Sequence, residues 1–308
     1  MKKLLPALAL ILLLICSAAL GEGTLAAPFP GDSPEAILAA RIGEVLNMTY
    51  TPETPDASLN SEARAAAANR MLADADVILC DTPAALMAGL QGYTTDDLRT
   101  AMVPVCKVAR IPLYLVMSRS AADEKGIADG EGLMRYLAEN EYDDTLLFAR
   151  HVEADPSDRA MVFLAEQLPV LTEVFWPAEI PEALAGGDAA AAVITEAERA
   201  EMDPESILVL FTLGDERSPF QPDVPCLTES GLPACPESGL YLLASVQADA
   251  DTLRTLAETV AAADMSAACE AAGMVFQPLT GDALQDEIRG IFADYKDYMT
   301  AEGLYFYE

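Results

Sequence analysis

The chain has 308 residues, of which 52% are hydrophobic and 22% are charged. This composition excludes disordered and collagen-like chains and suits a globular protein with two modest domains. Fifty acidic residues against eighteen Lys and Arg give a net charge of −32, which repels phosphate backbones and anionic lipid surfaces, so nucleic acid is excluded as a partner.

The first 21 residues are typical of an export signal. Two lysines precede an apolar run over residues 4–15, which is too short to cross a bilayer, and cleavage is expected after Ala19 or Gly21. Cys16 lies where a bacterial lipoprotein carries its acylated cysteine, but Ile15 stands where a small residue is usual. Lipidation and a plain apolar cysteine are both open. We expect an extracytoplasmic protein, periplasmic or at the cell surface.

From residue 24 onward, predicted strands alternate with predicted helices. The strands cover residues 24–27, 76–80, 103–108, 113–117, 145–149, 169–176, 189–195, 207–213 and 240–246. The helices follow Ser33, cover residues 60–73, follow Asp81, and then cover residues 130–140, 158–167, 180–185, 251–263 and 282–298. Alternation of this kind predicts an α/β architecture with mainly parallel sheets, in which ligands bind beyond the carboxyl ends of strands.

Five cysteines remain after signal cleavage, and export permits disulfides. Cys226 and Cys235 flank a short loop that contains Gly231 and Pro233, so we predict a disulfide between them. The other three have surroundings typical of small core residues. No CxxC spacing occurs, which argues against a redox or zinc motif.

Motifs of common enzymes are absent from the sequence. There is no GxSxG, HExxH, P-loop or GxGxxG pattern. His151 is the only histidine, which excludes zinc sites built on several histidines and leaves one candidate base for nucleophilic catalysis. A binding protein is therefore favoured over an enzyme, and an exported hydrolase is the weaker alternative.

Three stretches carry a resemblance to a known family. Residues 29–31 read Phe-Pro-Gly before a helix, residues 216–225 read Glu-Arg-Ser-Pro-Phe-Gln-Pro-Asp-Val-Pro, and residues 270–273 lie between two predicted helices near the C-terminus. These stretches resemble the extracytoplasmic substrate-binding proteins of tripartite tricarboxylate transporters, the Bug receptors, over residues 24 to about 299. The chain departs from the family where Asp32 replaces a glycine and where residues 150–158 replace a loop rich in Gly and Ser.

The resemblance implies a two-lobed α/β fold of the type II periplasmic-binding-protein kind, with a ligand cleft between lobes that close by hinge bending. Lobe one would comprise residues 22–117 and 239–308, and lobe two residues 118–238. It also implies that the protein is a receptor and not an enzyme. The receptor would bind a small carboxylate or an amino acid without cofactor or metal and present it to membrane permease subunits. Because the loops differ, a degenerate receptor acting as a ligand sensor or interaction partner is the alternative.

The candidate ligand contacts lie where predicted strands end and helices begin. They are Phe29, Gly31, Asp32, Ser33, Asp81, Thr82, Arg150, His151 and Trp176. Backbone N–H groups near residues 31–33 and Thr82 can bind a carboxylate at a helix N-terminus, although Asp32, Ser33 and Asp81 can equally serve as helix caps.

Arg150 can offer a two-pronged contact to a carboxylate, and His151 can offer a ring donor. The alternative for Arg150 is a surface ion pair with Glu153 or Asp155, and the alternative for His151 is a partly buried histidine that makes no ligand contact. The alternative for Trp176 is packing rather than a cleft wall. We expect a ligand with at least one carboxylate. An amino acid would satisfy both the cationic and the acidic groups of the cleft.

Overall fold

A computed structural model gives the fold and describes residues 23–29, 31, 33–52, 75–81, 102–143, 145–151 and 156–301. Its strands are β1 (Thr24–Ala27), β2 (Thr49–Pro52), β3 (Val77–Asp81), β4 (Met102–Ile111), β5 (Leu113–Ser118), β6 (Leu147–Arg150), β7 (Leu171–Val174), β8 (Ala191–Thr195), β9 (Ile207–Thr212), β10 (Ser238–Ser245) and β11 (Val275–Leu279). Its α-helices are α1 (Pro34–Leu46), α2 (Arg119–Lys125), α3 (Gly130–Glu139), α4 (Pro156–Gln167), α5 (Ile180–Gly186), α6 (Glu196–Glu201), α7 (Ala250–Ala262), α8 (Ser266–Ala271) and α9 (Gly281–Ala301). Short 3-10 helices cover Pro177–Glu179 and Leu227–Ser230.

Several predictions fall outside the described residues. These are the export signal with Cys16, the predicted helices at residues 60–73 and after Asp81, and the candidate contacts Asp32 and Thr82. Within the described ranges, no helix combines the length and the apolar character that a membrane span requires.

The start of α1 shows how local sequence sets an element boundary. Ser33 has extended backbone angles, and its hydroxyl accepts a hydrogen bond from the Ala36 amide at 3.1 Å. Pro34 occupies the first helical turn, where its missing N–H costs nothing. Asn47 ends the helix in the left-handed region, with φ of 56°. The predicted Ser33 cap is therefore confirmed.

The first sheet has the strand order β11-β4-β10-β3-β1-β2. Strand β1 is parallel to β2 and β3, whereas β10 is antiparallel to β3 and β4, and β11 is antiparallel to β4. Along β3, Leu79 packs in the apolar cluster that contains α1, α7 and α8, while Ile78 and Cys80 pack in the cluster that contains α9. Helices therefore cover both faces, which explains why β3 is buried along its whole length.

The second sheet has the strand order β7-β6-β8-β5-β9. Strand β6 is parallel to β7 and β8, and β5 is antiparallel to β8 and β9. Leu115 of β5 packs in the cluster that contains α2, α3 and α4, and Tyr114 packs against α5 on the opposite face. The larger cluster includes residues of both sheets, so the apolar core is continuous between them.

The chain passes between the sheets twice within the described residues. It leaves the first sheet after β4 and enters the second at β5, with only Pro112 between the two strands. It returns to the first sheet from β9 to β10. Residues 113–117, which the lobe prediction placed in lobe one, therefore pair within the second sheet.

The expectation of mainly parallel sheets is wrong. Five of the nine neighbouring strand pairs in the two sheets are antiparallel. The antiparallel pairs all involve β4, β5 or β10, the strands beside the two passages between sheets. Hydrophobic runs predict the strands themselves, but the direction of a strand that joins a second sheet depends on the tertiary path.

The predicted Cys226–Cys235 disulfide is not formed, and both cysteines are free and buried. The Cys226 sulfur lies 3.3 Å from Glu229 Oε1, whereas the Cys235 sulfur faces the Ala160 carbonyl at 3.8 Å. The helix Leu227–Ser230 and the left-handed Gly231 turn the intervening chain, so the two side chains contact different neighbours.

Candidate functional site

The carboxyl ends of β1 and β3 lie at one edge of the first sheet, because the two strands are parallel neighbours. Phe29 follows β1 and is 2% exposed, and Gly31 lies in the next turn, where an added β-carbon would meet no described atom within 4 Å. The Ser33 hydroxyl is engaged as the cap of α1. Asp81 ends β3 and is buried. The structure thus brings these four candidate contacts to the same edge.

The carboxyl ends of β6 and β7 form the corresponding edge of the second sheet. Arg150 is in register with Val174, and the Phe175 amide donates to the Arg150 carbonyl at 2.8 Å. His151 follows Arg150 and is 1% exposed. Trp176 follows Phe175 and is 52% exposed, so it is not a core packing residue. Arg150, His151 and Trp176 therefore lie at one edge.

Arg150 forms an ion pair with Asp158, which was not among the predicted site residues. Its Nε donates to Asp158 Oδ1 at 2.5 Å, and its Nη2 lies 3.4 Å from Oδ2. The Tyr298 hydroxyl donates to the same Oδ2 at 2.5 Å. Asp158 is fully buried. The surface partners proposed for Arg150, Glu153 and Asp155, lie outside the described residues.

Tyr298 acts as a hydrogen-bond donor in this cluster. Burial, together with the negative charge and hydrogen bond of Asp158, raises the pKa of Tyr298 far above its usual range. The hydroxyl is therefore protonated at any physiological pH. Because Tyr298 is on α9 and Asp158 is on α4, the contact joins a helix packed on the first sheet to a helix packed on the second.

Arg159 makes a second contact between the same two helices. Its Nε donates to Asp294 Oδ2 at 2.9 Å, and its Nη2 donates to Oδ1. The guanidinium also lies 5.3 Å from the centre of the Tyr298 ring and 5.8 Å from that of Phe163. Burial alone would lower the pKa of Arg159, but the hydrogen bond and charge of Asp294 raise it above its usual value. Asp294 and Tyr298 are four residues apart and so share one face of α9.

Two further cations are buried in β4, deeper in the first sheet. Lys107 is 1% exposed, and its Nζ lies 2.6 Å from Glu237 and 3.1 Å from Glu287. Arg110 donates to Glu216 at 3.1 Å. Neither ion pair was predicted, although a Lys and an Arg within an apolar strand are a signal of buried ion pairs.

Residues 216–225, a stretch that resembles the Bug receptors, stabilise a loop of the second sheet. Arg217 donates from Nε and Nη2 to the two carboxylate oxygens of Glu229, at 2.8 Å and 2.6 Å, and from Nη1 to the Pro222 carbonyl at 3.0 Å. Ser218 is buried, and its hydroxyl lies 2.6 Å from that of Tyr114. These bonds fix the loop that leads from β9 back to β10.

A cavity of about 690 Å³ lies beside α5 and α6, on the other face of the second sheet from α4. Its lining is mostly apolar and includes Pro177 and Ile180, with carboxylates from Glu198, Glu201 and Asp203. The described lining contains no cation and none of the predicted ligand contacts. The cavity therefore does not suit a carboxylate.

Of the nine candidate contacts, seven are in the described residues, and their part in ligand binding stays a prediction. The structure divides them into two groups at two sheet edges. Asp158, Arg159, Asp294 and Tyr298 connect helices that pack on the two sheets. In the described part of the chain, no cluster of three or more His, Cys, Asp or Glu residues could hold a metal ion.

No protein-family model and no curated protein matches the sequence. Solved structures do match the fold. A TctC solute-binding protein from Polaromonas superposes with a TM-score of 0.70 at 15% identity, covering 90% of this chain and 97% of that protein. The periplasmic binding protein BugD matches with a TM-score of 0.65 at 14% identity, covering 92% and 98%.

A third match is MatC from Rhodopseudomonas palustris, whose structure contains bound malate. Its TM-score is 0.63 at 16% identity, with 89% of this chain and 97% of MatC covered. The resemblance noted in the sequence is thus confirmed at the level of the fold. The chain has the two-sheet α/β fold of the TctC and BugD solute-binding proteins.

Proposed function

We propose that this chain is an extracytoplasmic solute-binding receptor that captures a small carboxylate and is not an enzyme. The observation that carries the proposal is the fold shared with TctC and BugD across nine tenths of the chain. MatC, which has the same fold, holds malate, a small carboxylate. The export-signal pattern of the first 21 residues supports an extracytoplasmic location.

The proposed site lies between two lobes, each built on one sheet. Because β4 pairs in the first sheet and β5 in the second, we place the first boundary between the lobes at Pro112. Lobe one then comprises residues 22–111 and 238–308. In this proposal, backbone amides near residues 31–33 and Thr82 bind the ligand carboxylate, and Phe29, His151 and Trp176 line the cleft. Hinge bending at the two passages between sheets opens and closes it.

The receptor would present its ligand to the permease subunits of a tripartite tricarboxylate-type transporter. One observation favours the sensor alternative, namely that Arg150, the strongest candidate for a ligand cation, is engaged by Asp158. Genes beside this one separate the two functions. Two membrane permease subunits would support transport, and a histidine kinase would support sensing.

A thermal-shift screen of the mature protein tests ligand binding. The panel should contain monocarboxylates, dicarboxylates, tricarboxylates and amino acids, with succinamide as an uncharged control. A ligand present at 100 times its Kd stabilises the native state by about 2.7 kcal/mol, so the melting temperature should rise with ligand concentration. If no carboxylate or amino acid raises it, the receptor function is rejected.

A further inference from the structure

We infer that the site selects a ligand with a single carboxylate, because Asp158 already pairs with Arg150, the one arginine or lysine among the candidate ligand contacts. This inference rests on the proposed function and adds the charge class of the ligand. It predicts that the chain differs from MatC, whose bound malate carries two carboxylates.

The geometry around Asp158 resembles that of a bound carboxylate ligand. Its two oxygens face Nε and Nη2 of Arg150 at 2.5 Å and 3.4 Å, and one also accepts the Tyr298 hydroxyl at 2.5 Å. A guanidinium and a hydroxyl at one sheet edge are donors that an external carboxylate would use. Here a side chain of the protein uses them.

An external carboxylate could reach Arg150 only by displacing Asp158. Asp158 is the third residue of α4 and is fully buried, and residues 156–162 of that helix are buried with it. Displacement would leave a buried carboxylate without its guanidinium, which is strongly unfavourable. A ligand carboxylate placed beside Asp158 would also be repelled by it, since little water separates the charges.

The other buried cations described above cannot replace Arg150, because each is paired with a carboxylate of the protein. The pairs are Arg159 with Asp294, Lys107 with Glu237 and Glu287, and Arg110 with Glu216. The net charge of −32 adds an unfavourable field for a dianion, although salt screens it beyond about 8 Å. One carboxylate can still be bound by backbone amides, which carry no counter-charge.

Calorimetry with matched ligand pairs tests the inference on the mature wild-type protein. Each pair has nearly one shape and differs by one carboxylate, as in succinate and succinamate, adipate and adipamate, or aspartate and asparagine. For any pair that binds, we expect the monocarboxylate to bind at least tenfold more tightly than the diacid. A diacid that binds equally or more tightly overturns the inference and leaves the receptor function standing.

The variant Asp158→Asn identifies the residue responsible. It keeps the side-chain shape and releases the charge of Arg150, so the preference for the monocarboxylate should fall at least tenfold through tighter diacid binding. The control is Asp251→Asn, which makes the same charge change in an exposed pair with Arg254 on α7 and should alter nothing. An unchanged preference in folded Asp158→Asn overturns the role of Asp158.

Two remaining outcomes are decided by measurements on the wild-type protein. If Asp158→Asn does not fold, the wild-type ratios decide the charge class by themselves. If no member of any pair binds the folded wild-type protein, the inference fails, whereas the receptor function is decided by the thermal-shift screen.

Discussion

Replacing Asp294 by asparagine tests how strongly the contact between α4 and α9 stabilises the protein. Asp294 is the carboxylate partner of Arg159, and its side chain is 27% exposed, whereas that of Arg159 is 8% exposed. Asparagine keeps the size of the side chain and removes its charge. The guanidinium would then lose its paired carboxylate while it stays 5.8 Å from the centre of the Phe163 ring and 5.3 Å from that of Tyr298.

The magnitude follows from the burial of the two partners. Removing one member of a buried ion pair costs about 3–5 kcal/mol, because the other charge stays desolvated. Since Asp294 is about a quarter exposed, water can replace part of its hydrogen bonding, and we expect a loss of about 2–3 kcal/mol. In a protein of this size, with an unfolding entropy of about 0.6 kcal/mol/K, that corresponds to a fall in melting temperature of about 3–5 °C.

Urea denaturation followed by circular dichroism measures the change. The control is Asp286→Asn, which breaks an exposed pair with Arg289 on the same helix and should cost less than about 0.5 kcal/mol. Adding Arg159→Met to Asp294→Asn should recover part of the loss, because the buried charge is then removed as well. If Asp294→Asn is no less stable than Asp286→Asn, the reasoning about this contact is refuted.

Two further predictions concern glycine packing and acid stability. A β-carbon on Gly130 would lie 2.3 Å from Phe211 Cζ and 2.9 Å from the Leu210 carbonyl, so Gly130→Ala should destabilise the fold by about 1–3 kcal/mol in urea. A β-carbon on Gly290 in α9 would meet no described atom within 4 Å, so Gly290→Ala should stabilise the fold by about 0.5–1 kcal/mol. If both variants shifted the free energy of unfolding in the same direction, the predicted clash of Gly130→Ala with Phe211 would be contradicted. The hydrogen bond from Arg217, followed by that from Cys226, lowers the pKa of Glu229 from 4.5 to about 2. Because the folded pKa is the lower one, this stabilisation is complete above about pH 5 and is lost as the pH falls towards 2, so the difference in urea midpoint between wild type and Glu229→Gln should shrink over that range. A difference that stays constant with pH would exclude the pair as its source.

The sequence alone predicted the features that depend on local interactions, namely helix starts and strands. The Ser33 cap and the following proline define the start of α1, and the apolar run of β3 marks a strand covered on both faces. Capping and side-chain periodicity involve residues only a few positions apart, so they can be read without the rest of the molecule. The resemblance at residues 216–225 added the fold family, which periodicity could not supply.

Asp158 could have been found from the sequence, and Tyr298 could not. Asp158 comes eight residues after Arg150, near the start of a predicted helix, which is a local signal for an ion pair. Tyr298 is 140 residues from Asp158, and only the packing of α9 on the first sheet brings its hydroxyl there. Long-range pairs of this kind depend on the path of the whole chain, because many distant polar residues would suit the same position equally well.

The tertiary structure alone decided strand direction and cysteine geometry. Strand β5 pairs in the second sheet although it follows β4 after one residue, because the chain passes between the sheets at Pro112. Cys226 and Cys235 are close in sequence, yet the turn at Gly231 directs their sulfur atoms to different neighbours. The sequence determined which segments form strands, helices and turns, since those choices rest on neighbouring residues. Only the tertiary structure determined which segments contact each other. The hydrophobic effect depends on the apolar area removed from water and not on how far apart the contacting residues lie in the sequence.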